Sequence, residues 1–333
     1  MKKRGKGIAS VFYGTGYGNG FPDVSSAYAE LKADGKIHIY AGATEVGQGS
    51  KTVLRQIAAE AIGTSIDNIV FVCEDTGQTP DSGTAAASRQ TYNTGNGIKL
   101  ACEQLKAEIL EFAQELLRLN SIAGLKINGD RVQIKGLPDK GISLKELAAH
   151  AENAGRRFRT EETFVAHTVR LDDETGQGAP YWPYTFATYS VEVEVDTDTG
   201  KVDVLKAACA QDVGRAVNPH LIEGQIEGGF AMGMSWALYE ELALDNGHIK
   251  NNNYSKYIIP TTLDMPDIES IIVEDPESTA PYGAKGIGEP VMLAAMPAVL
   301  NAIYDAVGVR ITSLPASPQQ IVRLLREKQA GTE

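Results

Sequence analysis

The sequence predicts an α+β fold of two similar subdomains, each an α/β layering of helices on a small sheet. Within each half, two strands of alternating apolar and polar residues are joined by a tight turn, and a loop and an amphipathic helix follow. The length of 333 residues also suits two domains of about 150 residues each. We therefore expect one plan used twice, with a first subdomain over residues 1–165 and a second over residues 166–333.

The first half opens with a predicted strand pair. Asp34 and Gly35 lie between two alternating runs, and this dipeptide favours a tight hairpin turn. Further on, Val53, Leu54 and Ile57 share one face of a predicted helix. The predicted elements of this half are a strand over residues 26–32, a strand over 36–40, a helix over 50–62, a strand over 69–73 and a long helix ending near residue 119.

The second half repeats this order. Its predicted elements are a strand over residues 189–195, a strand over 202–210, a helix over about 224–240 and a helix over 291–307. Pro290 suits the first position of the last helix, because proline has a fixed φ and no N–H to lose. A Gly-Gln pair opens the first helix of each half, as Gly47-Gln48 and as Gly224-Gln225. Residues 154–183, rich in Arg, Asp, Gly and Pro, form the predicted boundary.

Composition excludes several classes of function. The net charge is −12, whereas a nucleic-acid-binding surface needs an excess of basic residues. The most apolar stretch starts at Val291 and is interrupted by Pro297, Asn301 and Asp305, so we expect no membrane-spanning helix. We therefore expect a cytoplasmic protein without a nucleic-acid or membrane partner.

The three cysteines lie far apart and form no Cys-x-x-Cys pair; they are Cys73, Cys102 and Cys209. By itself the chain therefore supplies no ligand set for an iron–sulfur cluster or a structural zinc site. An odd, sparse set of cysteines also fits a reducing compartment.

One acidic residue, Glu289, ends a glycine-rich loop directly before Pro290. Glycine leaves the backbone open to close approach, so a carboxylate placed there is a candidate general base. The alternative is an acid that only favours the positive end of a helix dipole.

Polar side chains occupy two further loops. Gln48 stands between Gly47 and Gly49 at a predicted helix start, and a carboxamide offers one acceptor and two donors to a ligand. Gln225 is predicted to take the same place in the second half. Ser88, Arg89 and Gln90 offer a hydroxyl, a guanidinium and an amide in succession. For each loop taken alone, the alternative is an ordinary helix cap.

Five motifs in this order resemble the xanthine dehydrogenase/aldehyde oxidase family. They span residues 45–49, 84–90, 212–219, 224–228 and 285–290. They are similar to the C-terminal part of the family's molybdopterin-binding region, and most similar to the medium molybdopterin subunit of split hydroxylases of the nicotinate dehydrogenase type. The resemblance implies the aldehyde oxidase/xanthine dehydrogenase molybdopterin-binding fold and a chain that begins at the second molybdopterin domain.

The resemblance also implies site residues. Glu289 matches the family's catalytic glutamate, and Phe21 and Tyr13 are assigned to the substrate pocket, with ordinary packing as the alternative. The residues assigned to cofactor binding are Gly47, Gln48, Gly49, Ser88, Arg89, Gln90, Gln225, Lys285 and Gly286. Molybdenum is held by the dithiolene sulfurs of the pterin, so no protein ligand to the metal is expected.

The implied function is that of a molybdenum-cofactor subunit in a multi-subunit hydroxylase. Such an enzyme inserts water-derived oxygen at an electron-poor C–H of an N-heterocycle, similar to nicotinate or a purine. The expected cofactor is molybdopterin with molybdenum, in its cytosine dinucleotide or mononucleotide form. The expected partners are a larger molybdopterin subunit, an FAD subunit and a subunit with 2Fe–2S clusters.

Two alternatives remain open from the sequence. An aldehyde oxidoreductase or an aromatic thioester reductase would use the same cofactor and the same fold. A non-catalytic cofactor-carrying or assembly subunit would retain the motifs without the reaction.

Overall fold

The computed structural model describes residues 1–18 and 21–331, which form two compact units that interleave along the chain. The Gln48 unit comprises Gly14–Pro183 and Asp275–Gly286. The Glu289 unit comprises Met1–Tyr13, Tyr184–Glu274 and Ile287–Glu333. Each unit consists of segments from both sides of residue 165, whereas the prediction divided the chain once at that residue. Molybdopterin binding by residues 1–165 and 166–333 stays a prediction.

In the Gln48 unit, a four-stranded sheet has the order β4-β3-β2-β8. Its strands are β2 (Val24–Leu31), β3 (Ile37–Tyr40), β4 (Ile69–Val72) and β8 (Arg159–Val165). Strands β2 and β3 form the predicted antiparallel hairpin, with Tyr28 opposite Tyr40. Strand β4 runs parallel to β3, because helix α1 (Ser50–Ile62) carries the chain back between them.

Helices and a smaller sheet complete the Gln48 unit. Helix α2 (Gly95–Leu116) follows the wide helical turn Gln90–Thr94, and its buried face joins that of α1 in one apolar core. Three short strands, β5 (Leu125–Asn128), β6 (Arg131–Ile134) and β7 (Leu137–Ser143), form a meander that leads into helix α3 (Leu144–Asn153). The sequence interpretation did not include β5 to β8 or α3.

In the Glu289 unit, the sheet has the order β1-β9-β10-β13. Its strands are β1 (Lys2–Gly14), β9 (Tyr184–Asp196), β10 (Val202–Asp212) and β13 (Asp267–Val273). Strands β9 and β10 are an antiparallel hairpin, and β13 is parallel to β10. The hairpin, helix and parallel strand therefore occur in both units, which confirms the predicted repeat of one plan.

Helices α4 (Pro219–Leu238), α5 (Pro290–Leu293) and α6 (Ala295–Val307) contribute to the core of the Glu289 unit. Two short strands of two residues each, β11 (Leu244–Asp245) and β12 (His248–Ile249), follow α4, and helix α7 (Pro318–Gln329) ends the unit.

The stretch Pro290–Val307 is long and apolar enough to cross a membrane, with a mean hydropathy of 1.4. Of the described residues only this helical stretch passes that test, and 56% of it is buried within the protein.

The predicted start of one helix was wrong, and one strand was not predicted. Helix α4 begins at Pro219, where Asn218 Oδ1 accepts from the Leu221 N–H at 3.2 Å, so Gly224-Gln225 lies inside the helix. The local start signal of α4 is thus the Asn218-Pro219 pair and not the Gly-Gln pair. Strand β1 was missed because Gly5 and Gly7 weaken its alternating pattern. A Cβ on Gly5 would lie 2.3 Å from Ala302 O of α6, so the small residue permits this close approach.

Candidate functional site

In the Gln48 unit, the structure brings two predicted cofactor-binding residues into direct contact. Gln48 Nε2 donates to Gln90 Oε1 at 2.9 Å and to Thr44 O at 2.9 Å. Gln90 Nε2 donates to the same Thr44 carbonyl at 3.2 Å. Among the described residues, this is the one partner of Gln90 Nε2, which leaves an amide hydrogen for a ligand. Residues 42 positions apart therefore present a joined pair of carboxamides.

Glu45, which the sequence interpretation did not single out as a site residue, occupies the N-terminus of α1. Its carboxylate accepts from the backbone N–H groups of Gly47 at 2.8 Å, Gly49 at 3.0 Å and Lys51 at 3.0 Å. Burial raises the pKa of Glu45, but the hydrogen bonds from Lys51, Gly49 and Gly47 outweigh it and lower the pKa from its ordinary value. The N–H groups of the loop before α1, and that of Lys51 in its first turn, are therefore already bound to an anion of the protein itself.

The predicted Ser88 loop has a strained backbone. Ala87 and Ser88 are consecutive non-glycine residues with φ values of 52° and 53°. The backbone of Gly286 lies against this turn, since a Cβ on Gly286 would be 1.8 Å from Ser88 O. Strain of this kind is often found at ligand sites.

Arg89 anchors the loop from within. Its side chain is buried, with 1% of the residue exposed, and its Nε donates to Asp23 Oδ1 at 2.5 Å. Its Nη1 donates to Ser82 O at 2.8 Å, and its Nη2 donates to Val24 O at 2.6 Å. This network ties the guanidinium to the protein, and a contact of Arg89 with a cofactor stays a prediction.

Asp23 is the centre of the same network. It is buried and also accepts from Asn93 Nδ2 at 2.7 Å and from the Tyr17 N–H at 3.1 Å. The other predicted basic residue, Lys285, is likewise buried, and its Nζ lies 3.2 Å from Asp275 Oδ2. Neither Asp23 nor Asp275 was identified from the sequence, because no periodic or spacing signal links them to their partners.

In the Glu289 unit, the predicted general base stands where the sequence placed it. Glu289 is exposed and takes the N-cap position of α5, with Pro290 as the first helical residue. Its side chain makes no capping hydrogen bond to α5. Instead, the Tyr13 hydroxyl donates to Glu289 Oε2. Glu289 therefore forms no capping hydrogen bond, and its role as a general base or as an acid that favours the helix dipole stays a prediction.

The turn that carries Glu289 is held by close packing on α4. A Cβ on Gly229 would lie 2.5 Å from Val291 Cγ2, so the two helices meet at a glycine. The buried Tyr189 hydroxyl also donates to Val291 O at 2.8 Å. These contacts hold the residue two positions after Glu289 and thereby limit the movement of its backbone.

Two other predicted residues lie apart from these contacts. Phe21 is 70% exposed, so packing against the protein does not account for its position. Gln225 is half-buried in the second turn of α4, and it is not the structural counterpart of Gln48. A role of Phe21 in substrate binding and of Gln225 in cofactor binding stays a prediction.

Comparisons with known proteins identify the family of the chain. A family model for the molybdopterin cofactor-binding domain matches residues 1–266. The putative xanthine dehydrogenase molybdenum-binding subunit XdhA of Escherichia coli strain K12 is 33% identical over 329 residues. The chain belongs to the molybdopterin-binding part of the xanthine dehydrogenase family. The resemblance found in the five motifs is thereby confirmed.

Solved structures of family members have the same fold. The quinoline 2-oxidoreductase of Pseudomonas putida 86 matches with a TM-score of 0.84 and 27% identity, over 98% of this chain and 42% of that one. The aldehyde oxidoreductase of Desulfovibrio desulfuricans matches with a TM-score of 0.80 and 33% identity, over 97% of this chain and 32% of that one. XdhA is matched over 96% of this chain and 42% of its own length. The chain thus spans less than half the length of these relatives.

The residues present fit part of the family's cofactor. A pterin presents a hydrogen-bonding edge, and the joined carboxamides of Gln48 and Gln90 suit such an edge. A phosphate does not fit the N-terminus of α1, because Glu45 already fills that position. Among residues 1–18 and 21–331, no group of three or more His, Cys, Asp or Glu could hold a metal ion.

Proposed function

We propose that the chain is the molybdenum-cofactor subunit of a multi-subunit hydroxylase and that Glu289 is its general base. The observation that carries this proposal is the carboxylate of Glu289, exposed at the entrance of α5 and bound by the Tyr13 hydroxyl instead of by the helix. A general base must reach the proton that it removes, and an exposed, oriented carboxylate meets this requirement.

Within the site, Glu289 accepts a proton from the reacting group and Tyr13 orients the carboxylate. The Gly229 and Tyr189 contacts to Val291 keep the turn in place, which lowers the entropy lost on reaching a reactive arrangement. When bound, the molybdenum cofactor supplies the redox chemistry. Gln48, Gln90 and Ser88 are the residues that we expect to hold its pterin.

The proposed substrate is a small N-heterocycle with an electron-poor C–H. The similarity to quinoline 2-oxidoreductase, whose name specifies an N-heterocycle, supports this class. The similarity to an aldehyde oxidoreductase supports the second candidate, oxidation of an aldehyde by the same cofactor. Phe21, with its exposed ring, is the proposed stacking residue for a flat substrate. Parallel assays with nicotinate, purines and aldehydes distinguish the two classes.

The proposed complex contains a larger molybdopterin subunit, an FAD subunit and an iron–sulfur subunit, and we propose a cytoplasmic location. The chain spans 42% of XdhA, so a complete enzyme of this family contains more protein than the part matched here. Analysis of the natively purified complex for molybdenum, iron, flavin and the nucleotide of the pterin tests this composition. A complex without molybdenum, from cells that make the cofactor, would indicate a non-catalytic assembly subunit.

The Glu289→Gln variant tests the assigned base. We expect turnover to fall by about 10²–10⁴, because the amide cannot accept the proton, while molybdenum content stays at the level of the parent complex. Glu269→Gln, which changes an exposed acid on β13 of the same unit, is the matched control and should retain full turnover. Loss of molybdenum in parallel with turnover would show that Glu289 supports the cofactor instead of acting as the base.

A further inference from the structure

The segment Glu240–Pro266, between α4 and β13, exposes an unusual amount of apolar surface. Every residue from 240 to 266 is exposed or half-exposed, and none is buried. Its exposed large apolar side chains are Leu242, Leu244, Ile249, Tyr254, Ile258, Ile259 and Leu263. Tyr254 is 86% exposed and Leu263 is 96% exposed. Long connecting segments in compact proteins usually serve function, and a concentration of exposed apolar side chains in one segment is typical of an interaction site.

Hydrogen bonds give this segment a defined shape without a core of its own. Asn251 Oδ1 accepts from the Ala243 N–H at 3.0 Å, and the Lys250 N–H donates to Ala243 O at 2.8 Å. The Tyr257 hydroxyl donates to Glu240 Oε2 at 2.5 Å. The backbone is therefore ordered while the apolar side chains face solvent, which reduces the entropy that binding would have to overcome.

The preceding helix, α4, also exposes large apolar side chains. Met232 and Trp236, four residues apart on α4, are 53% and 48% exposed. One and two turns before Met232, at Gly228 and Gly224, a Cβ would meet nothing within 4 Å. The exposed face of α4 carries Glu223 and Glu227 in its first half and the apolar Met232 and Trp236 in its second half. Trp and Met are also enriched in the cores of protein interfaces.

The character of the surface favours a protein partner. The chain carries a net charge of −12, which disfavours both an anionic lipid surface and self-association. Asp245, Lys250, Lys256 and Asp264 interrupt the apolar side chains with both signs of charge, as at a protein interface with a polar rim. More than half of XdhA lies outside the part matched by this chain, so the family provides further protein to cover this surface.

We propose that the Glu240–Pro266 segment, together with Met232 and Trp236 of α4, is the docking surface for the larger molybdopterin subunit. This proposal rests on the proposed function, which requires such a partner. The surface lies within the Glu289 unit, so docking places protein of the partner on the unit that carries the assigned base.

Site-specific photo-crosslinking in the natively assembled complex tests the surface. A photo-reactive aromatic amino acid replaces Tyr254 or Leu263, and the matched control places it at Leu137, an exposed apolar residue of β7 in the Gln48 unit. We expect positions 254 and 263 to crosslink to a polypeptide whose sequence matches the remainder of the molybdopterin-binding region. The control position should give at least ten-fold less of that product.

A variant pair measures the contribution of α4. The double change Met232→Ser and Trp236→Ser should reduce recovery of the same partner at least ten-fold, whereas Leu137→Ser should not reduce it. A complex that contains molybdenum and the larger subunit, but crosslinks at positions 254 and 263 only to a second copy or to nothing, overturns the docking surface and leaves the proposed function intact. A purified complex with neither molybdenum nor such a subunit overturns the proposed function, and the docking surface with it.

Discussion

The two units hold their candidate site residues by different means. In the Gln48 unit, the loops are joined by hydrogen bonds between polar side chains and by the buried pair of Arg89 and Asp23. In the Glu289 unit, the turn before α5 is held by close helix packing at Gly229. The first arrangement presents many hydrogen-bonding groups on a fixed backbone, whereas the second presents one carboxylate.

The same difference separates two acids that look alike in the sequence. Glu45 and Glu289 each lie beside glycines near the start of a helix. The carboxylate of Glu45 is bound by the backbone of α1, but Glu289 makes no such bond to α5 and contacts Tyr13. Glu45 thus accepts hydrogen bonds from backbone N–H groups at a helix start, whereas Glu289 has a side-chain partner in their place. An acid near a helix start is therefore assigned by its partners and not by its position.

The largest effect on stability is expected from the buried ion pair. Asp23→Ala removes the carboxylate that pairs with Arg89 and leaves the charge of the guanidinium buried. We therefore expect the free energy of unfolding to fall by about 3–5 kcal/mol. Denaturant unfolding measures this change. Arg170→Ala breaks an exposed pair with Asp173 in the same unit, and as the control it should change stability by at most about 0.5 kcal/mol. An equally small change for Asp23→Ala would mean that the loop is not held by this pair.

Adjacent glycines of α4 test the packing that holds Glu289. Gly229→Ala forces a Cβ against Val291 and should destabilise the protein by about 1–3 kcal/mol, with lower turnover because the α5 turn shifts. At Gly228 a Cβ meets open space, so Gly228→Ala should stabilise the helix by up to about 1 kcal/mol. Thermal unfolding and turnover are measured for both variants. Similar results at the two positions would contradict the role assigned to close packing.

Glu45→Gln tests the structural role of the acid in the Gln48 unit. We expect a loss of about 1–2 kcal/mol at pH 7, because the carboxylate accepts from the Gly47 N–H of the preceding loop and from the Lys51 N–H of α1. The folded-state pKa of Glu45 lies below its ordinary value, so this stabilisation is present above about pH 4.5 and is lost as pH falls through the lower folded pKa. Unfolding curves of variant and parent should converge in acid. Glu289→Gln, the comparison, should leave stability at pH 7 within about 0.5 kcal/mol.

The smallest expected effect is the coupling between the two carboxamides. In a double-mutant cycle of Gln48→Ala and Gln90→Ala, we expect an interaction energy of about 0.5–1 kcal/mol, as for one hydrogen bond between neutral groups. Denaturant unfolding of the four proteins gives this value. Strict additivity would show that the pair does not act as one element of the site.

Much of the fold followed from local patterns. The Asp34-Gly35 turn, the apolar face of α1 and the proline at the start of α5 each depend on residues close in sequence, and the structure has all three elements. The five ordered motifs also identified the family. Strand β1 did not follow from the sequence, since Gly5 and Gly7 are explained only by the close approach of α6, and strand β8 was likewise not predicted.

The sequence by itself determined the repeated plan, the family and the place of Glu289 at a helix entrance, because these depend on spacing and on short motifs. Only the tertiary structure decided which polar residues meet. The contacts of Gln48 with Gln90, of Arg89 with Asp23 and of Glu289 with Tyr13 join positions from 42 to 276 residues apart. Hydrogen bonds across such separations depend on how the chain folds back on itself, and no local preference of the backbone contains that information.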